Sequence, residues 1–388
     1  MKADAARPPR LVWAAGVVAM ALAALAGVGI FVAKAPYGYD LWAYVLAARH
    51  LLAGEPLYAA QPEVPFGPYG EYHYAPPAAV PFALIAPLPF WLGTMLFIAL
   101  NTGIAAGIAF HLIRPLPRDA RPWAAAAFVL FLPTILEISL GNLNLITVGL
   151  CLLAWWRRER PAIAGTLLAV AIGVKLLPLT LVLFYLASGR IRVVAWTLAV
   201  GVAGLVLTAV VFARDFPAYI ALLLALKDSH WAADLIAATP PAEVAALLGS
   251  PIGRWLLPVS ALATAILGGL ASRRDGRDET HLHHLALAYA PYLASFGLLW
   301  FPYLVTALPL MASTLHRALL LPRAQTRAAL IAALTLSWLL LQVIGERDDL
   351  VPIGAHFLGL VVLLGVALAV MAPRPASITE SVAARAAA

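Results

Sequence analysis

Long apolar runs, nearly empty of charge and repeated along the whole chain, constrain this sequence more than any other feature. With approximate borders they span Leu11 to Ala33, Ala78 to Ile113, Trp123 to Ile138, Leu143 to Trp156, Ala162 to Val174, Leu176 to Ala187, Val193 to Phe212, Ile252 to Leu270, His283 to Trp300, Tyr303 to Leu320, Ala328 to Ile344 and Ile353 to Met371. A bilayer core is crossed by roughly 20 helical residues. Lipid offers the backbone no hydrogen-bond partner, so runs of this kind must be helical. The expected fold class is all-α and polytopic, with about twelve transmembrane helices. The four runs between Trp123 and Ala187 are too short to cross upright and are expected to pair as tilted or half-crossing hairpins. Only 12% of the residues are charged, about half the share usual in soluble domains, which excludes a water-soluble fold with a single buried core.

The charges that are present orient the chain. Lys2, Arg7 and Arg10 precede the first run. Arg114, Arg118 and Arg121 follow the second, Arg157, Arg158 and Arg160 the fourth, and Arg190 and Arg192 the sixth. Together with Arg317, Arg323 and Arg327 they fall on one side if both termini are cytoplasmic. The net charge of +7 is therefore a topology signal, and no basic face stands apart to bind nucleic acid. Residues 1–372 read as a single transmembrane domain and residues 373–388 as a disordered cytoplasmic tail. The run from Leu11 to Ala33 is too long for a signal-peptide core and reads as a retained anchor in a cell membrane. The other side then holds two long loops, 34–77 and 213–251, rich in aromatics. Loops of that length usually carry function. The single cysteine, Cys151, lies within an apolar run and allows neither a disulfide framework nor a thiolate metal cluster.

Few residues in such a chain offer chemistry. Asp40 opens a helical stretch, Asp40 to Leu52, with Gly54 as its stop. It suits a helix cap, and it equally suits a general base set against an acceptor hydroxyl. Lys175 stands between two short apolar helices in Gly-Val-Lys-Leu-Leu-Pro. A cation there is either a functional group on a phosphate or a side chain snorkelling from a helix break. Glu137, Asn142 and Asn144 cluster around a tight turn, where amides are often structural. Tyr72, His73 and Tyr74 precede Pro76-Pro77, which starts the second helix, and they line a cavity or anchor an aromatic belt. Tyr58 packs the first loop or joins that cavity, and Arg254 contacts a phosphate or snorkels. His281, His283 and His284 read as a solvated interfacial run rather than a metal site. There is no phosphate-cradling Gly-x-x-x-x-Gly-Lys loop, no Gly-x-Ser-x-Gly elbow and no Asp-x-Asp metal pair, so neither cofactor nor metal is expected.

Four stretches, in order, carry a resemblance: YDLWAYVLAARHLLAGEPLY, YHYAPP, GNLNLITVGL and RPAIAGTLLAVAIGVKLLPLTLVLFYLASGRIR. Together they resemble glycosyltransferase family 87, within the GT-C superfamily of membrane glycosyltransferases. The resemblance implies an inverting hexosyl transfer from a polyprenyl-phosphate sugar, mannose in many members, to a lipid or glycan acceptor at the extracytoplasmic face. It implies Asp40 as the general base, Lys175 with Pro178 at the donor phosphate, and the turn of Asn142 and Asn144 near the cavity. Many members carry Trp-x-His-His late in the chain. Here Trp300 matches, while Pro302 and Tyr303 replace the histidines. The alternative reading is a transporter or flippase for a lipid-linked or small substrate, with Lys175 near the midplane.

Overall fold

A computed structural model describes residues 37–58, 72–228, 237–238, 249–250, 252–275, 278–290, 293, 299–343 and 350–371. The expected anchor Leu11 to Ala33, residues 59–71 of the first loop and the tail 373–388 lie outside the described residues. So do the side chains of Arg254, His281 and Trp300.

The described chain is helical throughout, apart from a two-residue antiparallel pair that sets Ala237 opposite Trp300 and Ala238 opposite Leu299. Helix α1 (Tyr39–Ala53) is followed by a 3-10 helix (Pro76–Leu84) and by α2 (Phe90–Ile113). Pro87 and Pro89 separate these last two, so the run from Ala78 to Ile113 is broken rather than continuous. Next come α3 (Arg121–Val129), α4 (Leu132–Leu140), α5 (Asn144–Trp156) and α6 (Pro161–Val174). A short 3-10 turn (Leu177–Leu179) leads into α7 (Thr180–Ala187), α8 (Ile191–Val211) and α9 (Asp215–Asp228). The last part holds α10 (Gly253–Arg274), α11 (Asp278–Tyr289), a 3-10 helix (Phe301–Ala307), α12 (Leu308–Leu319), α13 (Ala324–Leu340) and α14 (Leu350–Ala369).

Among the described residues three helices are long and apolar enough to cross a membrane: α2, α8 and Trp255–Arg274 of α10. A fourth span forms if α3 and α4, bent by 48° at their junction, cross as one. Pro133, with no N–H to continue the helix, sits at that bend. Most of the other expected runs are helical but shorter than a full crossing, because Pro161, the break at Lys175 and Pro178 divide them. The run from His283 to Trp300 is not one helix: α11 stops at Tyr289, two residues before Pro291, and Leu299–Trp300 is a strand. The lipid-facing wall is plain on α8, where Leu198, Val202, Leu205, Val206, Val210 and Val211 are all exposed.

Two glycines set the position of α1. Gly38 (φ 74°) immediately precedes the helix, and its N–H donates to the Ser139 carbonyl at 2.8 Å. A side chain there would meet Thr94 of α2 at 2.8 Å. Gly141 (φ 72°) ends α4, and a Cβ on it would lie 2.8 Å from the Leu41 Cβ. Both need the left-handed conformation and the missing side chain, and together they press the start of α1 into the α4–α5 turn. The stop expected at Gly54 is present: it is left-handed (φ 71°), and the Glu55 N–H reaches back to the His50 carbonyl at 2.8 Å.

The two long loops carry helices, and these dock on each other. The Leu57 N–H donates to Asp215 Oδ1 at 2.9 Å, and Arg214 donates to the carbonyls of Gly54 and Glu55. Burial follows two apolar clusters. The larger joins α5, α6, α7, α11, α12 and α14. The smaller packs Leu41, Tyr44, Val45 and Ala48 of α1 against Phe82, Phe97 and Leu143. The histidine run is not solvated as expected. His283 and His284 are buried, and the His283 ring bonds Ser313 Oγ and the Ala367 carbonyl, each at 3.1 Å. An imidazole with two satisfied nitrogens belongs to the interior as comfortably as an amide does.

Candidate active site

At the junction of the two clusters lies a buried network of polar side chains. Asp40 is in the first turn of α1 but does not cap it: residue 38 is the cap, and no side chain bonds the first turn. Its carboxylate instead points into the α4–α5 turn, where Asn142 Nδ2 donates to Asp40 Oδ2 at 2.7 Å. Among the described residues, Asp40 Oδ1 accepts no hydrogen bond. The Asn142 amide is fixed on its other side as well, since Lys175 Nζ donates to Asn142 Oδ1 at 2.8 Å and the Leu143 N–H to the same oxygen at 2.6 Å. An amide with both ends engaged cannot flip, so its NH₂ must face Asp40.

The network continues through Asn144. Lys175 Nζ donates to Asn144 Oδ1 at 2.8 Å, and Asn144 Nδ2 donates to Glu137 Oε2 at 2.7 Å. Glu137 Oε1 accepts the N–H groups of Asn144 and Leu145, which are the first two of α5. A carboxylate there satisfies orphan donors and sits favourably on the helix dipole. Asn101, midway along apolar α2, donates to the Asn142 carbonyl at 3.1 Å and so pins the turn from behind.

Lys175 does not snorkel. It is only 9% exposed and has two amide acceptors, and its Nζ lies 4.1 Å from the Tyr303 ring and 5.7 Å from that of Tyr74. The faces of these rings favour a cation. Tyr74 accepts a hydrogen bond from the Tyr44 hydroxyl at 3.0 Å, while the Tyr58 hydroxyl donates to the Tyr74 carbonyl at 2.7 Å. Tyr58 therefore supports the site from the loop side, stacked on Tyr219 of α9. His73 is half-buried, and Tyr74 joins this stretch to the network.

Asp40 lies outside the membrane-spanning helices, and its environment sets its acidity. Burial pushes its carboxyl up to about 6, against the opposing pull of the Asn142 hydrogen bond and the Lys175 charge. Such a group can hold or release a proton near neutral pH. One carboxylate oxygen clamped and the other without a donor among the described residues, beside a fixed cation, is an arrangement that can take a proton from a hydroxyl and tolerate an anion close by.

Of the residues singled out from sequence, Asp40, Glu137, Asn142, Asn144, Lys175, Tyr74 and Tyr303 come together here. Arg254 opens α10 and Trp300 pairs with Ala237, but their side chains lie outside the described residues. Tyr44 and Asn101 were missed. Tyr44 shares a face with Asp40 at i+4, and a buried amide within apolar α2 is itself a signal. Asp215, which ties the loops, carried no signal except its acidity in an aromatic loop.

The sequence matches the model of glycosyltransferase family 87 over residues 72–302, more than half of the 388-residue chain. No curated protein matches it, and no solved structure does.

Proposed function

Because this chain belongs to glycosyltransferase family 87 and is thus a membrane glycosyltransferase, we propose that it moves a hexose, mannose in the first instance, from a polyprenyl-phosphate donor to a hydroxyl of a lipid or glycan acceptor. In this reading the reaction takes place at the extracytoplasmic face of a bacterial inner membrane, both termini are cytoplasmic, and the chain crosses about twelve times. Asp40 Oδ1 accepts the proton of the acceptor hydroxyl. The acceptor oxygen forms the new bond to the anomeric carbon from the side opposite the leaving group. The bond between that carbon and the phosphate oxygen breaks, and the polyprenyl phosphate leaves with the electron pair. One displacement inverts the anomeric centre. Phosphate is already a good leaving group, so the protein has mainly to align the reactants, take one proton and balance charge.

The observation that carries this reading is the clamped carboxylate: Asn142 holds Oδ2 at 2.7 Å and is itself held by Lys175 at 2.8 Å, while no group among the described residues donates to Oδ1. Lys175 is the cation for the donor phosphate, with Arg254 as a second contact. Tyr74 and Tyr303 bound the place a sugar would occupy, with His73, Trp300 and Tyr58 at its edge. Tyr303 stands where the family resemblance expects a histidine, and its ring covers the ammonium instead.

The experiment is turnover by purified full-length protein. Radiolabelled polyprenyl-phosphate mannose is supplied with membrane lipid extracts, and products are identified by mass spectrometry. The expected result is a mannosylated lipid or glycan whose new linkage is inverted. Use of a nucleotide sugar alone, or transfer from no polyprenyl-phosphate hexose, overturns the donor assignment.

A further inference from the structure

A second charged assembly lies at the opposite end of the bundle. From Asn144, α5 runs away from the Asp40 network for about 20 Å, and the turn after it carries Arg158 and Glu159. The chain returns along α6 to Lys175, departs again along α7, and turns at Gly189 and Arg190. Helix α10 ends beside that turn: Arg273 Nε lies 3.7 Å from the point a Gly189 Cβ would occupy. Arg158 and Arg190 thus meet over the Trp155 ring, and Arg273 lies against Gly189, the residue next to Arg190. Arg157, Arg160, Arg192 and Arg274 lie on the same segments, with Glu159 and Asp275 as the acidic residues among them and Asp278 and Glu279 at the start of α11.

A basic end that served orientation alone would need no organisation beyond the right side of the membrane. This one is organised. The Arg158 guanidinium lies 4.4 Å from the buried Trp155 ring, and that of Arg190 lies 5.6 Å from the same ring. Their side chains are only 15% and 23% exposed. Glu159 reaches both, at 3.6 Å to Arg158 and 2.9 Å to Arg190, while remaining 76% exposed itself. An exposed carboxylate thus occupies a preorganised pair of guanidinium groups, which is the geometry that recognises phosphate. Directly beside the turn, Leu186, Ile191 and Trp196 are 49%, 64% and 47% exposed. Apolar surface next to the arginines fits a ligand whose phosphate is attached to hydrocarbon.

We propose that this end of the bundle binds the headgroup of an anionic membrane phospholipid, with Arg158, Arg190 and Arg273 on the phosphate and the acyl chains along Leu186, Ile191 and Trp196. Basic pockets between transmembrane helices recognise such headgroups by this chemistry. Glu159 is the internal competitor that the phosphate displaces. The proposal does not depend on sugar transfer.

The test is lipid retention by the full-length protein in neutral detergent, read by native mass spectrometry. Titrations use phosphatidylglycerol, phosphatidylcholine and soluble glycerol phosphate. Phosphatidylglycerol should be retained, phosphatidylcholine should not, and glycerol phosphate should fail to displace the lipid. A basic residue near a lipid surface contributes about fivefold in affinity, so Arg190→Gln with Arg273→Gln should lower retention roughly twenty- to thirtyfold. Glu159→Gln removes the competitor and should raise retention several-fold. That gain decides the question even if the double variant fails to fold. Equal retention of the two phospholipids, or Glu159→Gln with unchanged or weaker retention, overturns the proposal. Glycerol phosphate binding as tightly as the lipid would make this a soluble-phosphate site and overturn it equally.

Discussion

Replacing Lys175 with methionine keeps the length and apolar stem of the side chain and removes the only cation that the Asp40 network holds among the described residues. The consequence is a displaced pH profile. A general base works deprotonated, so kcat/KM should rise with pH through the pKa of free Asp40, which burial sets at about 6. The Lys175 charge lowers that value, so its loss must move the midpoint upward. Two charges bridged by one amide sit roughly 6 Å apart, and at an effective dielectric near 20 they interact by about 3 kcal/mol, or roughly two pH units. The midpoint should therefore move from about 6 toward about 8. Two carboxylates would also be left without a cation, so stability should fall by about 3–5 kcal/mol. The assay is the initial rate of sugar transfer at limiting donor between pH 5 and 9, with thermal melts confirming that the protein is folded. Lys175→Arg keeps the charge and should keep the midpoint near the parental one. A folded Lys175→Met protein with an unmoved or lowered midpoint would refute the coupling of Lys175 to Asp40.

Two further expectations concern the turn that holds the network. Asn142→Ala removes the donor to Asp40 Oδ2 and an acceptor from Lys175. kcat should fall roughly 10- to 100-fold as the base loses its orientation, and the acidic limb of the pH profile should move upward, which a general loss of structure would not produce. Gly141→Ala forces a side chain into the left-handed region and toward the Leu41 Cβ. It should cost about 2–5 kcal/mol in a thermal or denaturant melt, whereas Gly103→Ala, at an open position on α2, should cost nothing measurable.

How much of this was legible in the sequence depended on how local the signal was. Helix α1 and its stop could be read because Asp40, the apolar stretch and Gly54 are a contiguous pattern. Lys175 was legible as a cation at a helix break, since such a charge in an apolar run demands a partner. Its partners were not determined. Asn142 and Asn144 lie more than 30 residues away and reach Lys175 only because α5 and α6 form a hairpin. The contact between Asp40 and Asn142 spans 102 positions and rests on Gly38 and Gly141, whose role is visible only when the helices are packed. The histidine run was misread for the same reason. Beside Asp278, Glu279 and Thr280 it looks solvated, and the acceptor that buries His283 is the Ala367 carbonyl, 84 residues on. Helix length alone identifies three or four crossings among the described residues, because apolar length is a one-dimensional measure and proline breaks decide where a run stops being one helix.

Asp40→Asn tests the base most directly, because stability and rate should move in opposite directions. The ordinary carboxyl value of 3.8 is raised to about 6 in the folded protein. The folded state thus binds this proton more tightly than the unfolded chain does. Folding is not penalised at this site below pH 4; the penalty grows as pH rises from there and levels off above about 6. At two pH units it reaches at most about 3 kcal/mol. Asparagine carries no such penalty, and its side-chain oxygen can still accept from Asn142 Nδ2. Lys175 keeps Glu137 as a counter-charge through Asn144. The variant should therefore melt at or above the parental temperature at pH 8, and the advantage should vanish by pH 4. Turnover should fall by roughly 10²–10⁴-fold, the usual range for a lost general base, while donor binding persists because the lost interaction belongs to the transition state. A residue serving only to begin α1 would give a different pair of results, since asparagine begins helices as well as aspartate: unchanged rate and pH-independent stability. Parental turnover in a folded Asp40→Asn protein would remove the base from the site and leave the Asp40 carboxylate without a catalytic role.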